Sequence, residues 1–397
     1  MPYINFKEEN YKLSKQLANR KNNNINIRKK IIKDHNLVRE YSPFDEFSFK
    51  NIKNKIIGSY KILDEIDFRL EVGKNFVCVN FYNCKFQNIK FVDCSFIGCN
   101  FNRCMFESGG VVFENCTFTK SDSIKTHSLN IKDNFSATFE ECKIYAKFKG
   151  CDLSYSIFEN SILKNTSFEL SNMQAVIVTK CDLHDIEVCD SDFQKFKTCK
   201  CYINNFKFND KYMTTFDEKT FFDKLTERKN DRDEYEGIYT VYQNIADKYK
   251  QNNLNSNFGE YYYLAKKEEH KTLSFLPKLE SYLYWFSCGY GERPIYSIYA
   301  SLFIIFLFAF LYLIFGIEIH EQLVQYSNLQ TLEFLSIDKL YRDFKEAFFL
   351  SVSLFTGVGG ENGIAALSSY FWADIEMLIG VIMTGIGTGT LIRKIIR

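Results

Sequence analysis

The run S-L-F-T-G-V-G-G-E-N-G, Ser353 to Gly363, holds the residue types in this chain whose spacing most directly suggests chemistry. A glycine-rich turn ahead of a helix cradles phosphate on backbone N–H groups. A strand, a glycine turn and a helix bind a dinucleotide. A glycine-rich loop at membrane depth lines a water-filled path with carbonyls. The phosphate reading needs Gly-Lys-Ser/Thr, but Gly359-Gly360 is followed by Glu361-Asn362-Gly363. The dinucleotide reading needs a preceding strand, and both flanks are apolar runs of membrane character.

Other reactive residues point away from catalysis. There are 13 cysteines and 5 histidines. No C-x-x-C occurs, and the closest pair is Cys199 and Cys201, so zinc-ligand spacing is missing and no metal site is expected. The thiols read as small buried apolar groups. No Ser-His-Asp, Cys-His or paired-carboxylate arrangement stands out, so we expect neither an enzyme nor a cofactor. A net charge of +1 and a pI near 7.4 give no bulk attraction to nucleic acid.

The elements around the glycine run are of membrane type. Pro294 to Ile317 carries no charge and is long enough to cross the roughly 30 Å hydrocarbon core. Trp285, Tyr290 and Tyr296 suit the interface at its start. A second apolar run, Met377 to Ile392, ends in Arg393, Lys394 and Arg397, and is short unless it begins at Tyr370. Between them Phe344 to Phe355 is apolar but too short to cross, so a short helix and a re-entrant loop are expected. Lys278 and Arg293 precede the first span, and the segment between the spans is poor in basic residues. Both termini are therefore expected in the cytosol of a multi-pass plasma (inner) membrane protein, with reduced thiols. The polar first 40 residues lack a signal-peptide apolar stretch. Glu376 is costly against lipid and is expected to face the short helix or water. Gly385, Gly387 and Gly389 suit close helix packing, and Gly380 with Gly385 suits a gating hinge.

The first half has a different period. Phe76, Phe81, Phe86, Phe91, Phe96, Phe101 and Phe106 recur every fifth residue, and the pattern resumes from Phe148 through Leu153, Phe158, Leu163, Phe168 and Met173 to Phe193. About Ser121 to Glu141 reads as an insertion. Five residues fit neither a strand, where they would alternate faces, nor a helix, where they would rotate by about 140°. A short extended piece and a turn per pentad satisfies the pattern, with a large residue at the centre and a small one two before it, as in Cys84, Cys94, Ser161 and Ser171. Such periodicity marks a solenoid. The run resembles the pentapeptide-repeat family, which implies a right-handed quadrilateral β-helix. Beyond it, Tyr235, Ile238, Tyr239, Tyr242, Ile245, Ala246 and Tyr249 define an amphipathic helix, and a second helix carries Tyr261-Tyr262-Tyr263; together they read as an end cap.

Two spans flanking a short helix and T-G-V-G-G resemble the pore module of potassium channels, whose pattern is T-T-V-G-Y-G-D. Thr356, Val358 and Gly359 match, and Ser353 and Phe355 fall in pore-helix positions. W-F-S-C-G-Y-G-E-R-P, Trp285 to Pro294, is similar to the connector of bacterial proteins that join pentapeptide repeats to such a pore. The resemblance implies a selectivity filter of Thr356, Gly357, Val358, Gly359 and Gly360, a mouth of Glu361 and Asn362, and a homotetramer passing potassium or another monovalent cation. Gly357, Gly360 and Glu361 depart from the pattern, removing a hydroxyl and an aromatic brace and adding a ring of carboxylates. The expected organisation is an irregular or helical N-terminal cap over 1–75, a β-helix over 76–210, a helical connector over 211–293 and an all-α two-span pore module over 294–397. A cytosolic protein or ligand docking on the β-helix would be its regulator. Two alternatives stay open: a membrane-anchored scaffold with a degenerate pore, and an inducible membrane-depolarising effector.

Overall fold

The computed structural model describes residues 4–33, 46–59, 68–107, 110–119, 135–319, 322–326, 337–358 and 363–396. The chain forms two compact units, Met1–Thr272 and Leu273–Arg397.

The first unit is a β-solenoid of about six turns built from the pentads. Each turn places one short extended piece on each of four faces. One face is a parallel seven-stranded sheet running from Asn51–Lys53 through Asn80–Tyr82, Asn100–Asn102, Thr138–Glu140, Ile157–Glu159 and Ile177–Thr179 to Lys197–Cys199. Another holds Asn75–Val77, Ser95–Ile97, and then single parallel bridges at Thr117, Asp152, Asn172, Asp192 and Thr215. The other two faces merge into a twelve-stranded sheet. One residue per pentad sits near φ +50° to +60° and turns the corner; asparagine often fills it, as at Asn83, Asn88, Asn160 and Asn165, because its side chain tolerates that region best after glycine.

In-register stacking makes the core a set of ladders. Phe81, Phe101, Phe139 and Phe158 lie face to face with centroids 4.9, 4.7 and 4.7 Å apart. Phe91, Phe113, Phe148 and Phe168 repeat this at 5.2, 5.0 and 5.3 Å. The small residue two before each centre does more than leave room. Its Sγ or Oγ donates to a carbonyl one coil earlier: Cys104 to Phe81, Ser161 to Phe139, Ser171 to Phe148. Cys, Ser and Thr are thus chosen as compact donors.

The solenoid starts earlier than residue 76. Asn51–Lys53, Ile56–Gly58 and Arg69–Val72 already pair in its sheets. The first helix, α1 (Phe6–Lys33), is not an end cap either. Its 28 residues, about 42 Å at 1.5 Å each, run antiparallel to coil growth along one corner of the rod. Asn10 bonds Asp223 in the last coil, and Arg28 donates to the carbonyls of Val79 and Gly98 in two successive coils near the start. Between them Arg20 donates to the carbonyls of Tyr155 and Ala175, and Asn24 to that of Ser136. Arg20, Asn24 and Arg28 share one helix face, so a polar helix docks by a ladder of donors. Apolar contacts hold its ends: Leu13 against Ile177, Cys199 and Phe221; Ile27 and Ile31 against Val77, Ile97 and Phe135. Residues 120–134 of the expected insertion lie outside the described residues.

At the other end α2 (Arg232–Gln251) and α3 (Asn255–Thr272) close the rod. Ile238, Val241, Tyr242, Ile245, Tyr249, Tyr261 and Leu264 join the solenoid core without a break. Buried tyrosine hydroxyls satisfy backbone left open where the coils stop: Tyr249 donates to Thr220 O at 2.6 Å and Tyr261 to Phe222 O at 2.7 Å. Strand-like bridges persist to Phe221, past residue 210. The expected connector over 211–293 is therefore divided: α2 and α3 belong to the first unit, while α4 (Phe275–Cys288) belongs to the second.

Candidate functional site

Three helices frame the site. α5 (Pro294–Phe315) begins with proline at its first position, where the missing N–H costs no hydrogen bond. α6 is Ile337–Thr356 and α7 is Tyr370–Ile396. α5 and residues 367–395 are long and apolar enough to cross a membrane. Ile298, Leu302, Phe303, Phe306 and Phe310 of α5 and Leu378, Val381 and Ile382 of α7 are exposed, an outward surface that water would not favour.

α6 is longer than the apolar stretch over 344–355. Its first two turns carry exposed Asp338, Lys339 and Arg342 and half-buried Asp343, which extend the helix as a charged end. Its buried face is Ala347, Leu350, Ser351 and Phe355, at i, i+3, i+4 and i+8. α5 meets it with Phe308, Ala309, Tyr312 and Leu313, and α7 with Ala373.

At the centre Glu376 is fully buried. Tyr312 Oη lies 2.6 Å from one carboxyl oxygen, and Ser351 Oγ bonds the other. Ser351 Oγ also lies 2.9 Å from Ile305 O. One side chain of α7 thus joins α5 and α6. One turn on, Gly380 brings the backbones together: a Cβ there would lie 2.0 Å from Phe355 O. The glycine expected at a hinge is seated against the end of α6. Gly385 and Gly389 meet no atom within 4 Å, so the packing expected of that pair is not made within one chain.

α6 stops at Gly357, whose φ is +70°. Gly357 N–H donates to Leu354 O at 3.2 Å and Val358 N–H to Ser353 O at 3.1 Å, the reciprocal pair of a Schellman stop. A threonine there would be strained. Thr356 Oγ1 turns back to Val352 O at 2.8 Å, and Val358 is 82% exposed. Gly359, Gly360, Glu361 and Asn362 lie outside the described residues. The chain is then held at Gly363–Ala365, antiparallel to Ile317–Ile319, which also pairs with Gln322–Val324. Ser368 and Ser369 donate to Phe315 O and Gly316 O, each at 2.6 Å, closing the end of α5.

The opposite ends of the two long helices meet as well. In the G-Y-G-E-R-P turn, Gly289, Tyr290 and Gly291 all have positive φ, from 54° to 78°. This tight reversal buries Glu292, which is 1% exposed and pairs with Arg393 of α7 at 3.2 Å. The partnership was not legible in sequence: the two residues are 101 positions apart in the chain numbering, and only the burial of a charge directly before a span hints at it. No group of three or more His, Cys, Asp or Glu among the described residues could hold a metal.

Residues 75–108 and 146–185 match the family model described as pentapeptide repeats, in eight copies. The first unit thus contains pentapeptide repeats that form a β-solenoid. No curated protein matches it. Among solved structures it is similar to HetL, a pentapeptide repeat protein involved in heterocyst differentiation regulation from the cyanobacterium Nostoc, at 11% identity over 47% of this chain and 93% of that one, TM-score 0.23. It is also similar to QnrB1, a plasmid-mediated fluoroquinolone resistance protein: a trypsin-treated form at 15% identity over 40% and 76% of the two chains, TM-score 0.19, and the full-length form at 15% over 42% and 92%, TM-score 0.12. None of these likenesses bears on function.

Proposed function

We propose that the Leu273–Arg397 unit is the pore-forming part of a cation channel subunit and that the solenoid is its cytosolic scaffold or regulatory domain. The observation that carries the reading is the seating of α6. It is buried on one face by α5 and α7, stops at Gly357, and leaves Thr356, Gly357 and Val358 exposed before the chain returns to the end of α5. Exposed backbone between two spanning helices needs protein or water around it. Two spans cannot enclose a path, so the reading requires a ring of copies, most simply four. Potassium preference rests on the resemblance of Thr356, Val358 and Gly359 to the channel filter. The exposed Phe275, Leu276, Leu279 and Leu283 of α4 suit the membrane interface ahead of the first span.

The test is reversal-potential recording with the purified full-length protein in planar bilayers. Cation current with potassium preferred supports the proposal in full. Equal sodium and potassium permeation removes the potassium part. Anion selectivity, or no current from a protein that is monomeric in bilayers, overturns it and leaves the membrane-anchored scaffold. The regulatory role is tested by deleting the whole first unit, Met1–Thr272, since a cut inside 211–272 would expose the continuous core. Unchanged gating would reduce the solenoid to a scaffold.

A further inference from the structure

We infer that Glu376 is present as the neutral carboxylic acid and that its proton completes a hydrogen-bond chain fixing α6 to both long helices. The inference goes beyond the pore reading and does not depend on ion conduction.

Proton counting carries it. Ser351 has one hydroxyl hydrogen but sits within hydrogen-bond distance of two acceptors, Ile305 O and a Glu376 oxygen. Carbonyl oxygens and carboxylates only accept. If Glu376 were ionised, Ser351 could satisfy only one of them, and its lone pairs would face the other oxygen. One arrangement satisfies every atom. Glu376 donates from one oxygen to Ser351 Oγ, Ser351 donates to Ile305 O, and Tyr312 Oη donates to the second Glu376 oxygen.

The surroundings agree. Among the described residues the partners of Glu376 are Tyr312 of α5 and Ser351 of α6, both neutral, and no Lys, Arg or His pairs with it. The nearest charges in sequence are Asp374, exposed on its own helix, and half-buried Glu346 and exposed Lys345 on α6; none is a cation paired with Glu376. A fully buried carboxylate with no cation is strongly disfavoured; the neutral acid with two hydrogen bonds is not. Glu376 is one turn from Gly380, which touches Phe355, the residue before Thr356. The acid therefore acts as a positioning residue for the Thr356–Val358 turn.

Glutamine discriminates. In Glu376→Gln the amide N–H donates to Ser351 and the amide oxygen accepts from Tyr312, so the bonding of the neutral acid is reproduced atom for atom. The chain contains only two tryptophans, Trp285 and Trp372, both in this unit, so the fluorescence melt of full-length protein in nanodiscs reads the unit alone. Glu376→Gln should melt with the wild type, and Glu376→Ala well below it. Tyr312→Phe should cost little, because a neutral acid tolerates one vacant acceptor. The infrared difference spectrum of wild type minus Glu376→Gln should contain a protonated-carboxyl C=O band. A carboxylate band in its place, or a Glu376→Gln melt as low as that of Glu376→Ala, would overturn the inference. Should Glu376→Ala not fold, the infrared spectrum still decides.

Discussion

Replacing Gly380 by alanine tests the seating of α6 directly. An added Cβ would lie 2.0 Å from Phe355 O, 2.8 Å from Phe355 C and 3.0 Å from Phe355 Cα. Ordinary C···O contact begins near 3.3 Å, so the shortfall is roughly 1.3 Å. The obstructing atoms are backbone, and no rotamer relieves them. α7 and α6 must part by about an ångström, which also pulls Glu376 from Ser351 and loosens Phe355 against Ala300, Ile305 and Met383. Overpacking costs about 1–3 kcal/mol, and a backbone obstruction belongs at the upper end. Better helix propensity returns about 0.5–1 kcal/mol. The net loss is about 2 kcal/mol, or roughly 5–10 °C in the midpoint of the tryptophan melt. Gly385→Ala and Gly389→Ala are the controls. Neither Cβ meets an atom within 4 Å, so in a lone chain each should stabilise by about 0.5–1 kcal/mol. A Gly380→Ala melt at or above wild type refutes the reasoning. Stabilisation by Gly385→Ala in dilute detergent, turning to destabilisation in the assembled protein, would place that glycine at a contact between copies.

Four further outcomes follow from the same geometry. Arg20→Gln with Arg28→Gln removes the charged donors that hold α1 to four carbonyls; each should cost about 1–3 kcal/mol, and α1 should become the first segment cut in limited proteolysis, whereas unchanged cleavage refutes the docking ladder. Burial raises the Asp210 carboxyl, but bonds from Lys248 at 2.5 Å and from Thr214 outweigh it and hold the group below its ordinary value; three backbone N–H donors from 228–230 similarly outweigh burial at Glu234. Depressed carboxyls stabilise above the unfolded values near 4 and lose that contribution as pH falls through the lower native ones, so first-unit stability should be flat above about pH 5 and fall below it, and an Asp210→Asn variant with an undiminished acid slope would contradict this. Burial pushes Cys78 up to about 11 and Cys201 up to about 12, so native protein should leave these thiols unlabelled by iodoacetamide while half-buried Cys189 reacts first; rapid labelling of Cys78 or Cys201 would refute the packed core. Glu292→Gln leaves Arg393 without its carboxylate; because the arginine is 44% exposed, about 1–3 kcal/mol should be lost in the tryptophan melt, and no change would show the pair to be incidental.

The rod was legible because one local rule repeats. Each pentad carries its own large centre, small donor and turn residue, so the period survives without tertiary information, and coil stacking follows from it. α1 was harder, because its docking is written in the partner surface. Val77 and Ile97, and likewise Ile157 and Ile177, are outward-facing apolar residues 20 positions apart on either side of one corner. A second period of 20 superposed on the period of five marks a covered corner, and it is visible in the sequence once four faces are assumed. In the second unit the apolar lengths gave the two long helices, and Glu376 could be expected to avoid lipid. What it bonds could not be read, because Tyr312, Ser351 and Glu376 are spread over 65 residues and meet only when α6 is seated. Gly357 and Gly380 have identical letters but opposite reasons. One is glycine because its φ is +70°; the other is helical and is glycine because Phe355 leaves no room for a Cβ. A glycine-rich motif therefore does not identify which glycines bear on a filter. That assignment needs the backbone angles and the neighbours, and here it separates the residue that ends the short helix from the residue that holds it in place.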